Sequence, residues 1–232
     1  AQPGPAGRLR FQTGDWPDPD PAPPPVAEPA ADLPRWAQTP PAPPVKAAKP
    51  LVPSDLGGAK IVLRPGEEEG PDAAGAMRLG TLLHLLLERL PGVARADWPA
   101  FAGAVGAAEV LAEAAAVLDQ PHLAALFGPG TLAEVPVTSD LGDRRMIGTI
   151  DRLMIGPDRV LAVDFKSNRV VPAHPAEVPE GILRQMGAYG AALAAIWPDR
   201  KVELAVLWTA TAQLMVIPPE IVGAAMRRAA IA

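Results

Sequence analysis

Hydrophobic and polar positions change rhythm several times along the chain, and each rhythm predicts an element. Gly75 to Pro91, GAMRLGTLLHLLLERLP, has helix length, a proline stop and more leucines than a solvent-facing helix carries, which predicts a largely buried helix. Ala100 to Leu118 is Ala-rich and predicts a second helix. The pattern then becomes β-rich in TLAEVPVTS from Thr131, RRMIGTIDRLMI from Arg144 and RVLAVDFKS from Arg159. Gly156, Pro157 and Asp158 separate the last two, with proline at the favoured second turn position, so these runs predict a hairpin. A helix pattern returns in EGILRQMGAYGAALAAIW from Glu180, followed by the strand pair KVELAVLWT from Lys201 and QLMVIP from Gln213. PEIVGAAMRRAA, with proline at its start, closes the chain as a helix. The predicted order is ααβββαββα, an α/β chain.

None of these rhythms reaches into the first part of the sequence. Residues 1–53 hold 16 of the 30 prolines, and proline at that density removes backbone donors and favours extended polyproline-like chain. The expected organisation is a proline-rich, disordered linker over residues 1–53 and a folded domain over residues 54–232. Trp36, in LPRWA, reads equally as an aromatic that docks on a neighbouring surface and as an exposed linker residue.

Composition narrows the class. Of 232 residues, 49% are hydrophobic, enough for a substantial core, and no apolar run reaches the roughly 18 to 20 residues a membrane span needs. The chain begins at Ala1 without a charged and then apolar leader, and reads as a piece of a longer protein without a signal peptide. The absence of cysteine excludes disulfides, thiolate zinc sites and iron–sulfur clusters, and fits a cytoplasmic location. A net charge of -5 gives no bulk attraction for nucleic acid, so binding there would need a local groove or a metal.

The candidate chemistry lies at the end of the most apolar strand. VLAVDFKS, Val160 to Ser167, reads as a strand buried on both faces, yet places Asp164 and Lys166 two residues apart on one face. A hairpin turning about Pro157 and Asp158 sets Asp151 opposite Asp164, and facing Cβ atoms stand roughly 4.5–5.5 Å apart. Two carboxylates that close suit a hard divalent cation. The same residues also describe a structural ion cluster. The cost of desolvating a lysine among Val, Ala and Phe favours a functional role for the charges.

As a set, GTLLHLLLE, EVPV, GTIDRLM, VLAVDFKS and RQMGAYGAAL resemble the RecB-family nuclease domains of the restriction-endonuclease-like superfamily, and most of all those of AddA-type helicase-nucleases. The resemblance spans about Ser54 to Pro218. It implies a restriction-endonuclease-like core, a central mixed sheet flanked by helices, behind an extended proline-rich segment tethering it to a helicase part of the same chain. It further implies a Mg²⁺-dependent exonuclease, with Mn²⁺ as a substitute, that hydrolyses single-stranded DNA during double-strand break repair beside an AddB-type partner subunit. By the family's motifs, His84, Asp151, Asp164 and the main-chain carbonyl of Phe165 would hold metal. Lys166 would be the catalytic lysine, with Gln185 and Tyr189, four apart on one helical face, beside it. Glu134 stands where the family often has a strand glutamate, without an assigned role. Read from the residues alone, His84 is more often a core histidine than a ligand, and Gln185 and Tyr189 serve equally as helix-surface residues. A noncatalytic docking domain that keeps the nuclease fold is the alternative function. His122 and His174 are expected on the surface or in loops.

Overall fold

The chain is described by a computed structural model over residues 49–60, 73–142 and 144–229, together with residues 2, 3, 9, 10, 14 and 34. It divides into two units, Ala1–Lys46 and Ala47–Ala232. In the first, Gln2–Pro3 pairs antiparallel with Leu9–Arg10. Trp36 and most of the predicted linker lie outside the described residues.

The second unit carries five helices and five strands among its described residues: α1 (Ala73–Arg89), α2 (Trp98–Ala104), α3 (Leu111–Leu118), β1 (Thr131–Leu141), β2 (Arg144–Ile155), β3 (Arg159–Lys166), α4 (Glu180–Ile196), β4 (Lys201–Trp208), β5 (Gln213–Val216) and α5 (Pro219–Arg228). The strands form one mixed sheet in the order β1-β2-β3-β4-β5. β3 and β4 run parallel, joined through α4, and the other neighbours run antiparallel. This is the α/β arrangement of a restriction-endonuclease-like fold, a mixed sheet flanked by helices.

Two apolar clusters cover the two faces of the sheet. Leu83, Leu86 and Leu87 of α1, with Leu90 in the 3₁₀ turn that follows, stand at spacings of three and four and pack with α2, α3, Val163 and Phe165. Val160 and Ala162 point the other way, into a cluster with Ile182, Met186 and Leu193 of α4 and Val222 and Ala225 of α5. β3 is therefore apolar along its length because both of its faces are covered. Cutting any one of these four buried leucines to alanine costs about 2–5 kcal/mol.

The chain is attached to this sheet before the predicted domain start. Leu51 bridges Met146, exchanging main-chain hydrogen bonds with Arg145 and Ile147, and Pro53 and Leu56 are buried. The predicted Ala100–Leu118 helix is corrected to two, α2 and α3. Gly106 takes φ +70° after Val105, the Gly106 N–H bonds to Gly103 O and the Ala107 N–H to Ala102 O. Those two bonds form a Schellman cap, which ends α2 before a short 3₁₀ turn leads into α3. Among the described residues no single helix is long and apolar enough to cross a membrane.

Candidate active site

The predicted hairpin register is the one observed. Arg152 pairs with Val163, Leu153 with Ala162, Met154 with Leu161 and Ile155 with Val160, and one further step sets Asp151 level with Asp164. There the regular ladder stops. The N–H of Phe165 donates instead to Asp151 Oδ2 at 2.5 Å, so the side chain of Asp151 satisfies a main-chain donor just past the last ladder pair.

The neighbouring pair is interrupted at the same level. Ala133 pairs with Arg152 and Val135 with Ile150, but Glu134 between them takes φ +49°, in the left-handed region that non-glycine residues seldom occupy. The alternation of β2 slips here too. Ile150 and Leu153, three apart and so on opposite faces of a regular strand, pack in the same cluster. Local backbone strain of this kind costs of order 1–3 kcal/mol and collects at functional sites.

The slip gathers donors. Ligand atoms of His84, Glu134 and Asp151 all lie within 4.8 Å of one another. His84 Nδ1 stands 3.4 Å from Asp151 Oδ1, and Nε2 stands 3.1 Å from the carbonyl oxygen of Phe165. Nδ1 thus faces a carboxylate and Nε2 a main-chain carbonyl, so either nitrogen donates when protonated and the neutral ring offers one lone pair to a cation. Phe165 thus serves through its main chain on both sides, N–H to Asp151 and carbonyl to His84. Burial alone would lower the pKa of His84, but the hydrogen bond and charge of Asp151, with the charge of Asp164, outweigh it and leave the value raised. Burial and then the charge of Asp151 push the Glu134 carboxyl up. Crowded anions beside an imidazole are the expected state of a cation site, and this donor set of two carboxylates and one imidazole fits a divalent metal ion.

Asp164 and Lys166 form a second group beside the first. Asp164 is 2% exposed; its Oδ2 lies 2.6 Å from Lys166 Nζ and its Oδ1 accepts from Gln185 Nε2 at 2.6 Å. Lys166 Nζ also donates to Gln185 Oε1 at 3.1 Å, closing a ring of three side chains. Desolvation raises the Asp164 pKa, aided by the charge of Asp151 and opposed by Lys166. Tyr189, one turn along α4 from Gln185, donates its hydroxyl to Thr149 O at 2.6 Å, and Gln185 Nε2 reaches that hydroxyl at 3.5 Å. Burial pushes its phenol pKa up, so Tyr189 stays a neutral donor.

The structure places the sequence-predicted site residues in two layers, and it does not bring the Asp164 carboxylate into the group that Asp151 forms with His84 and Glu134. His84, Asp151 and the Phe165 carbonyl meet at the metal-suited group, while Asp164 contacts Lys166 and Gln185. Glu134, without a role from the sequence, joins the first layer. Arg152 was missed: buried beside Asp151, it donates to Leu87 O at 2.8 Å and ties the α1 turn that follows His84 to the sheet. His122 lies 3.2 Å from Ala212 O and His174 caps a 3₁₀ turn, both away from the site. A cleft of about 480 Å³ opens over the first layer, lined by Met77, Gly80, His84, Glu134, Asp151 and Ser167, among others.

A family model described as the PD-(D/E)XK nuclease superfamily matches residues 59–225. Among solved structures, the chain is similar to one from Eubacterium rectale described as "Putative exonuclease", with a TM-score of 0.46 and 11% identity over 70% of this chain and 65% of that chain. No curated protein matches the chain.

Proposed function

The chain belongs to the PD-(D/E)XK nuclease superfamily, and on that premise we propose that it is the Mg²⁺-dependent nuclease domain of an AddA-type helicase-nuclease. In this reading it hydrolyses phosphodiester bonds as an exonuclease on single strands during repair of double-strand breaks. The observation that carries the reading is the meeting of His84, Glu134 and Asp151 within 4.8 Å of one another, beside Lys166, at an open cleft.

A divalent ion held there supplies charge neutralisation at phosphate and a lowered pKa for water. His84, Glu134, Asp151 and the Phe165 carbonyl would hold it, with Asp164 completing the acidic pair. Mg²⁺ suits the carboxylates and Mn²⁺ also accepts the imidazole. Lys166, held by Asp164 and Gln185, presents a compact ammonium that orients water or steadies charge growing on a phosphate oxygen. Gln185, steadied by Tyr189, keeps Lys166 and Asp164 in place.

The wider context belongs to the same proposal. Residues 1–53 would be the proline-rich tether from a helicase part of the chain, residues 54–232 the nuclease domain, an AddB-type subunit the partner, and the cytoplasm the location. The motif set and the dense prolines before it support this. The test is cleavage of end-labelled single- and double-stranded oligonucleotides by the purified chain with Mg²⁺, Mn²⁺ or EDTA. Metal-dependent shortening of single strands is expected, and no cleavage under any metal would turn the choice to a docking domain.

A further inference from the structure

Ser167, the last residue of VLAVDFKS, has no part in the two layers described above, yet it lines the same cleft as His84, Glu134 and Asp151. It directly follows Lys166 at the end of β3 and is half-buried. Among the described residues its hydroxyl has no hydrogen-bond partner. The other main polar groups at this strand end are all engaged: Asp164 and Lys166 with Gln185, the Phe165 N–H with Asp151, and Lys166 O with Thr209 Oγ1 at 3.2 Å. A half-buried hydroxyl left free between paired neighbours is a donor available to a ligand.

Gly80 explains why that donor is reachable. It lies on α1 one turn before His84 and therefore on the same helix face. A Cβ built on Gly80 would stand 3.1 Å from Ser167 Oγ, closer than ordinary van der Waals contact. Outside the neighbouring backbone of α1 itself, no other atom of the described residues lies within 4 Å of that Cβ position. The glycine thus keeps a gap between α1 and the end of β3, floored by the serine hydroxyl and continuous with the cleft over the metal-suited group.

Resting on the nuclease reading, we infer that Gly80 and Ser167 form a phosphate seat for the DNA strand, in which the Ser167 hydroxyl donates to a non-bridging oxygen of a backbone phosphate and Gly80 provides the room. A hydroxyl is chemically suited to this role because it supplies a neutral donor beside Lys166, adding a hydrogen bond to an anionic oxygen. Such contacts hold a strand in register without reading its sequence.

The experiment measures single-stranded DNA cleavage by the full chain with Mn²⁺, equilibrium binding of the same oligonucleotide with Ca²⁺ in place of Mn²⁺, and Mn²⁺ binding without DNA. The variants are Ser167→Ala, Ser167→Thr and Gly80→Ala. Ser167→Ala should weaken DNA binding and lower kcat/KM on the order of tenfold, the worth of a hydrogen bond to a charged group, with Mn²⁺ affinity unchanged. Ser167→Thr should recover most of the loss. Gly80→Ala should lower kcat/KM at least as far while the chain melts no lower than wild type, since alanine favours helix. If wild type binds but does not cleave, and Ser167→Ala weakens binding, the nuclease reading falls and the phosphate seat stands. Ser167→Ala that binds and cleaves within twofold of wild type, or wild type that neither binds nor cleaves, overturns the seat.

Discussion

The N–H of Phe165 donates to Asp151 Oδ2 at 2.5 Å, so one carboxylate both ends the β2–β3 ladder and joins the group gathered around His84. Its two roles separate by substitution. Asp151→Ala leaves a buried main-chain donor without an acceptor, at a cost of about 1–3 kcal/mol, whereas Asp151→Asn keeps an acceptor oxygen. Chemical unfolding without metal should find the alanine variant less stable and the asparagine variant no less stable than wild type. Equal losses in both would contradict the hydrogen bond's part.

Metal should stabilise the fold through His84, Glu134 and Asp151. A ligand that binds only the folded state contributes about 2.7 kcal/mol at a hundredfold excess over Kd, which for a domain of this size is a Tm rise of about 5–10 °C. Glu134→Gln and Asp151→Asn should each lose most of the rise with Mg²⁺ and with Mn²⁺. His84→Ala should lose more of the Mn²⁺ response than of the Mg²⁺ response, since imidazole suits the softer ion. A full rise in Glu134→Gln would remove Glu134 from the site.

The ring of Asp164, Lys166 and Gln185 should tolerate change at Gln185 better than at Asp164. Asp164 is 2% exposed, and Asp164→Ala strips Lys166 of its carboxylate, so both stability and cleavage should fall, cleavage to background. Gln185→Ala removes the hydrogen bonds to Lys166, Asp164 and Tyr189 but leaves the ion pair, so cleavage should drop about tenfold with Mn²⁺ binding retained. Cleavage rates and calorimetric titration on the two variants provide the comparison, and Asp164→Ala cutting as well as Gln185→Ala would overturn it.

On the far side of α4, Glu180 meets Arg228 at 2.6 Å and 3.0 Å, joining α4 to α5. The Arg228 hydrogen bond, helped by Arg184 and opposed by burial, holds the Glu180 carboxyl below its ordinary 4.5. A depressed folded value contributes stability that is fully present above the unfolded value and is lost as pH falls through the folded one. The gap in urea midpoint between wild type and Glu180→Gln should therefore be wider at about pH 7 than at about pH 3. A gap unchanged between the two would contradict the assignment.

Much of this site was legible because strand geometry is periodic. The turn residues Pro157 and Asp158 set the β2–β3 register, and with it the level at which Asp151 meets Asp164. The leucines of α1 announced a buried stripe at Leu83, Leu86 and Leu87 but not the largely buried helix expected, since the first half of α1, with Met77, is mostly exposed. What escaped the pattern was aperiodic. Glu134 joins His84 and Asp151 through φ +49° and a slip of β2, which no alternation of apolar and polar residues encodes. The direction of the Asp164 carboxylate, toward Lys166 and Gln185, depends on side-chain torsion and not on register. The break between α2 and α3 did leave a signal, since Gly103 and Gly106 interrupt the alanine run, but the apolar rhythm on both sides masks it.

On the proposed reading, Lys166 acts in cutting DNA beside a metal that it does not itself hold. Its most direct test is end-labelled single-stranded DNA cleavage by Lys166→Ala and wild type with Mg²⁺, with metal binding measured on the same samples. Mg²⁺-dependent cleavage by wild type is expected, and in Lys166→Ala cleavage reduced to background with metal affinity largely retained. Lys166→Ala cutting at a rate near that of wild type would contradict it.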